Sequence, residues 1–418
     1  MSFFRQVRTL GVFATLLVAL HASAATQKRK RAHTAAPAHR RTVAKSTRTA
    51  GSRTVRRTTA RTTTAAAATT TRGVIHSRVR YARRHRVLYS PWSEPTFADS
   101  TAGDNTAGED PVVRKAAVDA LGPYNGTVVV ADPQSGRILS IVNQKLALTG
   151  AFQPCSTIKV VVSLASLSEG IVDPETRVRL GRRFAMNLTD ALAKSNNAYF
   201  AKLGEELGFE RVSHYAQMFG LGEKAGLDID GEQPGTVVDE PPVDGLGMMT
   251  SFGSGIRLTP LELTSIVSTV ANNGTMYYLQ YPRTQDEIQS FQPKVKRYLD
   301  ISNLVAEVKP GMMGAVEYGT ARRASFHQNE PLMGKTGTCT DTTRPGVHLG
   351  WFGSFNEVGD KKLVVVVLLT GGRGVSGPVA SGIAGNVYRN LDAQRYFSPN
   401  GGVPATPMSL VSTQSCCR

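Results

Sequence analysis

Residues 153–170 read QPCSTIKVVVSLASLSEG, and this stretch decides more of the fold than any other in the 418-residue chain. Ser156 opens an apolar run, Lys159 follows three positions later and Gly170 closes it. Positions i and i+3 lie on one face of a helix, so the serine and the lysine point the same way. A serine hydroxyl is a poor nucleophile until a base takes its proton. A lysine is such a base when burial and a second cation lower its pKa. The start of a helix also presents backbone N–H groups, which suits a developing oxyanion. Taken alone, Ser-x-x-Lys arises often by chance, so its meaning depends on its surroundings.

Upstream, the pattern predicts a helix over Val112 to Leu121 and then a hairpin, GTVVVADPQSGRILSIVN, over 126–143. In that hairpin two β-branched runs flank the turn residues Asp132 to Gly136. Downstream, helical periodicity dominates from about 156 to 275. Strand patterns return at 332–340, 347–356 and 362–370, and a last helix is predicted over Pro378 to Leu391. The seven apolar residues Leu363 to Leu369 are too few to span a bilayer and fit a buried strand. Strands at both ends with helices between them predict one α/β sheet beside an all-helical lobe.

Two further motifs occupy this frame. Ser195-Asn196-Asn197 stands in AKSNNAYFAKLGEELG, at a turn leading into a helix, and Lys335-Thr336-Gly337-Thr338 stands in PLMGKTGTCT, within a strand pattern. Each has an ordinary alternative: Ser195-Asn196 as a helix cap, Lys335 as a solvated edge-strand lysine. The order S-x-x-K, S-x-N, K-T-G resembles the penicillin-binding protein and serine β-lactamase superfamily, and most closely its transpeptidase domain. The resemblance covers about 120–395 and includes MTSFGSGIRLTPLELTSIVSTVANNGTM (249–276) and the aromatic strand HLGWFGSF (348–355).

The resemblance implies a five-stranded antiparallel sheet flanked by helices, with an all-α lobe and the site between them. It implies that Ser156 attacks a D-Ala-D-Ala carbonyl or a β-lactam and that Lys159 accepts its proton. Ser195 would relay a proton to the leaving amine under the charge of Lys335. Asn197 would hold the substrate amide and Lys159, and Thr336, Gly337 and Thr338 would line the carboxylate site. Backbone N–H groups of Ser156 and Thr338 would form the oxyanion hole, and neither a metal nor an organic cofactor is called for. If those two N–H groups converge, Cys155 and Cys339 come close as well, and some carbapenem-hydrolysing β-lactamases carry a cysteine pair at the matching positions. A Cys155–Cys339 disulfide is therefore expected, with two buried free thiols as the alternative.

The sequence also departs from the family. Ser156 and Ser195 lie only 39 positions apart, so a reduced helical lobe is expected. Neither a glycosyltransferase domain nor a large pedestal domain is expected. Glu169 follows Ser156 too closely to activate a deacylating water, which favours a long-lived acyl-enzyme. The histidines His214, His327 and His348 are read as structural.

Charge is distributed unevenly. The formal net charge is +17, but residues 26–86 hold 18 Lys or Arg and no acidic residue, so the remainder is nearly neutral. This Thr/Ala/Arg-rich segment has too few large apolar residues to fold alone. It is expected to be either a tether that binds anionic envelope polymers or a membrane surface, or a plain solvated linker. Nucleic acid is not an expected partner. Arg5 and Arg8, the apolar run Leu10–Leu20 and Ala22-Ser23-Ala24 read as a secretory signal, with an uncleaved anchor as the alternative. The expected layout is thus a signal peptide at 1–24, a basic tether at 25–86, a linker and lead-in helix at 87–119, the domain at 120–395 and a tail at 396–418. The leading expectation is an envelope D,D-transpeptidase acting on peptidoglycan stem peptides. Its rivals are a D,D-carboxypeptidase or β-lactamase of the same chemistry, and a non-catalytic β-lactam sensor or wall-binding module.

Overall fold

The apolar runs at the two ends of the domain meet in one sheet. In the computed structural model, the hairpin Gly126–Ala131 and Ile138–Val142 pairs through its first strand with the late strand Val364–Leu369. The register runs from Gly126 opposite Leu369 to Ala131 opposite Val364. His348–Asn356 and Leu332–Thr340 complete five antiparallel strands, in the spatial order 138–142, 126–131, 364–369, 348–356, 332–340. The structure describes residues 92–325, 332–344, 346–357 and 361–398, all within the compact unit Arg84–Arg418. The expected signal peptide, the basic segment 25–86, His327, Cys416 and Cys417 lie outside the described residues.

Alternation along the strands explains how both faces are covered. Successive side chains point to opposite faces. Val128, Val130, Val365 and Val367 therefore join one core with Val113 and Ala117 of the helix Pro111–Leu121 and Val387 and Leu391 of Gly377–Ala393. Val129, Val364, Val366 and Leu368 face a second core with Leu263 and Val267 of the helix Pro260–Ala271 and with the helical lobe. Since both faces are buried, Leu363–Leu369 reads as a continuous apolar run. Among the described residues, no helix is long and apolar enough to cross a membrane.

The helical lobe holds Lys159–Ser168, Leu188–Ala193, Asn197–Leu207, Phe209–Met218 and Leu246–Phe252. Helices dominate 156–275 as expected, and short strands interrupt them at two places. Val178–Gly181 and Phe184–Met186 form a small hairpin, and Thr236–Val237 pairs with Ile256–Arg257. Burial in Val178–Gly181 alternates, which is the signature of period two in a segment too short to register as a strand.

Residues 92–110, read as part of a linker, are fastened to the sheet. Asp104 accepts N–H bonds from Asn143 and Gln144 at 2.9 and 2.8 Å and pairs with Arg114 at 2.8 Å. Glu109 accepts from the Ile141 N–H and the Ser140 hydroxyl, both at 3.0 Å. Asp110 caps the following helix by accepting from Val112 and Val113. Acidic residues that look like turn chemistry in sequence are here satisfying buried backbone donors.

Candidate active site

The nucleophile candidate sits on a strained turn. Cys155–Ile158 is a 3₁₀ turn, not the first turn of the expected α-helix, and it runs straight into Lys159–Ser168. Cys155 holds the left-handed conformation at φ 53°. For a non-glycine residue this costs on the order of 1–3 kcal/mol, so the surrounding structure must enforce it. The Thr157 hydroxyl donates to the Pro154 carbonyl at 2.7 Å and closes the turn. Ser156 is left buried, with its Oγ 2.8 Å from Lys159 Nζ.

Lys159 is fully buried and stands at the centre of a polar cluster. Its Nζ donates to Asn197 Oδ1 at 2.6 Å and lies 3.3 Å from Ser195 Oγ. Lys335 Nζ donates to the same Ser195 Oγ at 2.8 Å and to the Thr336 carbonyl at 3.0 Å. One hydroxyl thus bridges two buried amines. Among the described residues, neither lysine has a carboxylate ion-pair partner. Burial, reinforced by the Lys335 charge, pulls the Lys159 pKa down to about 6. Burial alone pulls Lys335 down to about 7. The rings of Phe200 and Phe252 lie 5.5 and 5.7 Å from Lys159 Nζ, contacts that favour an ammonium there.

Ser195 is also left-handed, at φ 54°, between Leu188–Ala193 and Asn197–Leu207. Asn196 caps the second helix by accepting the Tyr199 N–H at 2.9 Å. The cap reading therefore holds for Asn196, while the twisted backbone turns Ser195 and Asn197 toward Lys159.

The edge strand Leu332–Thr340 supplies the other wall. Gly337 is required there by close approach: a Cβ would come within 2.9 Å of the Pro154 carbonyl and 3.1 Å of Thr157 Cγ2. Thr338 Oγ1 accepts the Gly377 N–H at 2.8 Å, and Thr336 Oγ1 lies 2.5 Å from Thr320 Oγ1. Cys155 and Cys339 stand in disulfide geometry, Sγ to Sγ 2.00 Å and Cα to Cα 5.4 Å, inside the range such a bond tolerates. The nucleophile turn and the edge strand are thus in contact at Gly337 and at the two cysteines.

Ser156, Lys159, Ser195, Asn197 and Lys335 form one connected cluster, with Thr336, Gly337 and Thr338 beside it. Sequence reasoning missed Thr320, whose turn lies 15 positions before Lys335, and the Ser251 carbonyl, 3.4 Å from Ser156 Oγ. A groove of about 620 Å³ opens beside the cluster, bordered by Asn197, Ala201, Glu205, Leu246, Ser251 and Phe252. A second cleft of about 640 Å³, around Tyr281, Arg283 and Lys294, contains none of the cluster residues. Glu169 lies at the far end of the helix, bonded to Tyr215 and Arg211. His348 contacts Thr340, and His214 packs edge-on against Tyr215. Among the described residues, no group of three His, Cys, Asp or Glu is placed to hold a metal ion.

Comparison with known proteins adds the following. The family described as penicillin binding protein transpeptidase domain matches residues 126–390. Stage V sporulation protein D of Bacillus subtilis is 28% identical over 314 residues, covering 65% of this chain and 48% of that protein. Peptidoglycan D,D-transpeptidase PbpA of Mycolicibacterium smegmatis is 26% identical over 346 residues, covering 66% and 69%. The chain thus spans about half to two-thirds of the length of these relatives. Among solved structures, the transpeptidase domain of Burkholderia pseudomallei penicillin-binding protein 3 aligns with a TM-score of 0.59 at 21% identity, covering 71% of this chain and 98% of that one. At that identity the likeness establishes the fold.

Proposed function

The chain belongs to the penicillin-binding protein transpeptidase family, and from that premise we propose that it is a serine D,D-transpeptidase acting on peptidoglycan stem peptides. One observation carries the reading: a fully buried lysine, held below its ordinary pKa, lies 2.8 Å from the Ser156 hydroxyl. Neutral Lys159 takes the Ser156 proton as Oγ adds to the carbonyl of the penultimate D-alanine. The oxyanion is received by the N–H groups of Ser156 and Thr338. Ser195 passes a proton to the departing D-alanine amine and is resupplied from the Lys159 ammonium, while Lys335 stabilises the negative charge that develops between them. Hydroxyls of Thr336 and Thr338, beside the Lys335 charge, hold the terminal carboxylate. Asn197 keeps Lys159 in place. The acyl-enzyme is then released by an amine acceptor. A β-lactam enters by the same first step and leaves a stable adduct.

The hydrolytic variants, a D,D-carboxypeptidase or β-lactamase, use the same acylation and differ in deacylation. With Glu169 engaged by Arg211 and Tyr215 away from Ser156, slow release is expected. Fluorescent penicillin labelling followed by a chase separates the β-lactamase from the other two, and assay of a stem peptide with and without an amine acceptor separates transpeptidase from carboxypeptidase. A label that persists for about hours, with acyl transfer to the amine, supports the transpeptidase, and one lost in under about a second would identify an efficient β-lactamase. Failure to label at all would favour a non-catalytic wall-binding module. The finer proposals are export to the cell envelope and contact of residues 26–86 with anionic polymers or the membrane surface.

A further inference from the structure

We propose that Thr320 is a positioning residue that aims the Thr336 hydroxyl at the carboxylate of the acyl donor; this rests on the functional reading above. The two threonines of the edge strand are served by different partners. At Thr338 the partner is the Gly377 N–H, which can only donate, so Thr338 Oγ1 accepts and its own hydrogen is free. At Thr336 the partner is the Thr320 hydroxyl, 2.5 Å away, and either can donate. A carboxylate only accepts. Once it binds, Thr336 must turn its hydrogen outward and accept the hydrogen of Thr320. The result is a chain from Thr320 to Thr336 to the carboxylate, in which each bond polarises the next. Both strand hydroxyls then donate to the same anion.

The turn that carries Thr320 is built for this contact. It follows the helix Ser302–Glu317 and is pinned to the Ser195 side of the cleft. The Thr320 N–H donates to the Ala193 carbonyl at 3.2 Å, and the Ala321 N–H donates to Ala315 at 2.7 Å. At Gly319 a Cβ would meet the Ala193 carbonyl at 2.1 Å, so only glycine lets the turn approach this closely. Thr336 is almost fully buried, and Lys335 grips its carbonyl. Thr320 therefore links the segment before Ser195 to the strand bearing Lys335, through a hydroxyl that the acylation steps do not otherwise use.

The test compares two acyl-D-alanyl thioesters, one ending in a carboxylate and one in a carboxamide, on the full chain. Thr320→Val keeps the shape and removes the hydroxyl. It should raise KM for the carboxylate substrate roughly three- to tenfold with kcat little changed. The carboxamide should change by less than about twofold, and Thr320→Ser should restore the carboxylate KM. Equal loss on both substrates would show a merely structural role and overturn the inference, as would an unchanged KM in Thr320→Val. If the wild type is acylated by neither thioester nor by penicillin, the functional reading fails and the inference falls with it.

Discussion

A lysine with its ordinary pKa near 10.5 is an ammonium at neutral pH and cannot take a serine proton. Burial changes that at Lys159, and the nearby charge of Lys335 adds to it, bringing the pKa down to about 6. At pH 7 the free amine then outweighs the ammonium roughly ten to one. Lys335, lowered to about 7 by burial, supplies the charge that Ser195 and the substrate carboxylate need. The penicillin acylation rate should therefore rise as pH increases through about 6 and fall as it passes beyond about 7. Stopped-flow acylation across pH 5–9 checks this, and a rate that climbs steadily to pH 9 would contradict it. The sign for stability is opposite. The unfolded chain keeps both lysine protons to about pH 10, so these two groups make the fold gain stability as pH rises from about 6. A falling rate above 7 is then not unfolding. The approach of Lys159 to Ser156 was legible because positions three apart share a helical face, a local pattern. The left-handed backbones of Cys155 and Ser195 were not, since tertiary contacts impose them against residue preference. Nor was Thr320, whose contact with Thr336 is a tertiary one.

At the level of elements, the site depends on how the 3₁₀ turn Cys155–Ile158 meets the strand Leu332–Thr340. Gly337 sets their closest approach, and the Cys155–Cys339 pair joins the two elements next to Ser156 and Thr338.

 The two cysteines close a chain segment of 184 residues, so the pair also restrains the unfolded chain. Replacing both with alanine should lower Tm by several degrees and slow penicillin acylation a few-fold, because the strained Cys155 backbone then relaxes. An unchanged acylation rate, measured on variant protein that is still folded at the assay temperature, would show that the pair contributes to stability alone. The strands themselves were legible: two β-branched runs flanking the Asp132–Gly136 turn marked the hairpin, and the β-branched run marked Val364–Leu369. Their spatial order was not. Pairing of Gly126 with Leu369 spans most of the domain, and local periodicity carries no information about which strands become neighbours. That part of the expectation came from the family resemblance. The small hairpin at 178–186 escaped because its strands are only three or four residues long.

Over the whole molecule, charge and chemistry lie in different parts of the chain. The 18 basic residues of 26–86 lie outside the segment that carries Ser156, Ser195 and Lys335. Deleting 26–86 should leave the acylation rate within about threefold and weaken binding to anionic polymers at low salt, the difference fading as ionic strength rises. A large loss of acylation would assign the segment to the catalytic fold. The N-terminal margin of the domain was harder to read than its centre. Residues 92–110 have the composition of a loop, yet Asp104 and Glu109 anchor them to the first hairpin. What composition hides is the partner: buried backbone N–H groups some 30 to 40 positions away turn loop-type acids into structural ones.

The central claim is that Ser156 is the residue acylated, with Lys159 as its base. Peptide mass spectrometry after penicillin treatment tests it most directly. The adduct should fall on the peptide containing Ser156 and should be absent from Ser156→Ala and from Lys159→Met under the same exposure. An adduct on any other serine, or undiminished labelling of Ser156→Ala, would contradict the account.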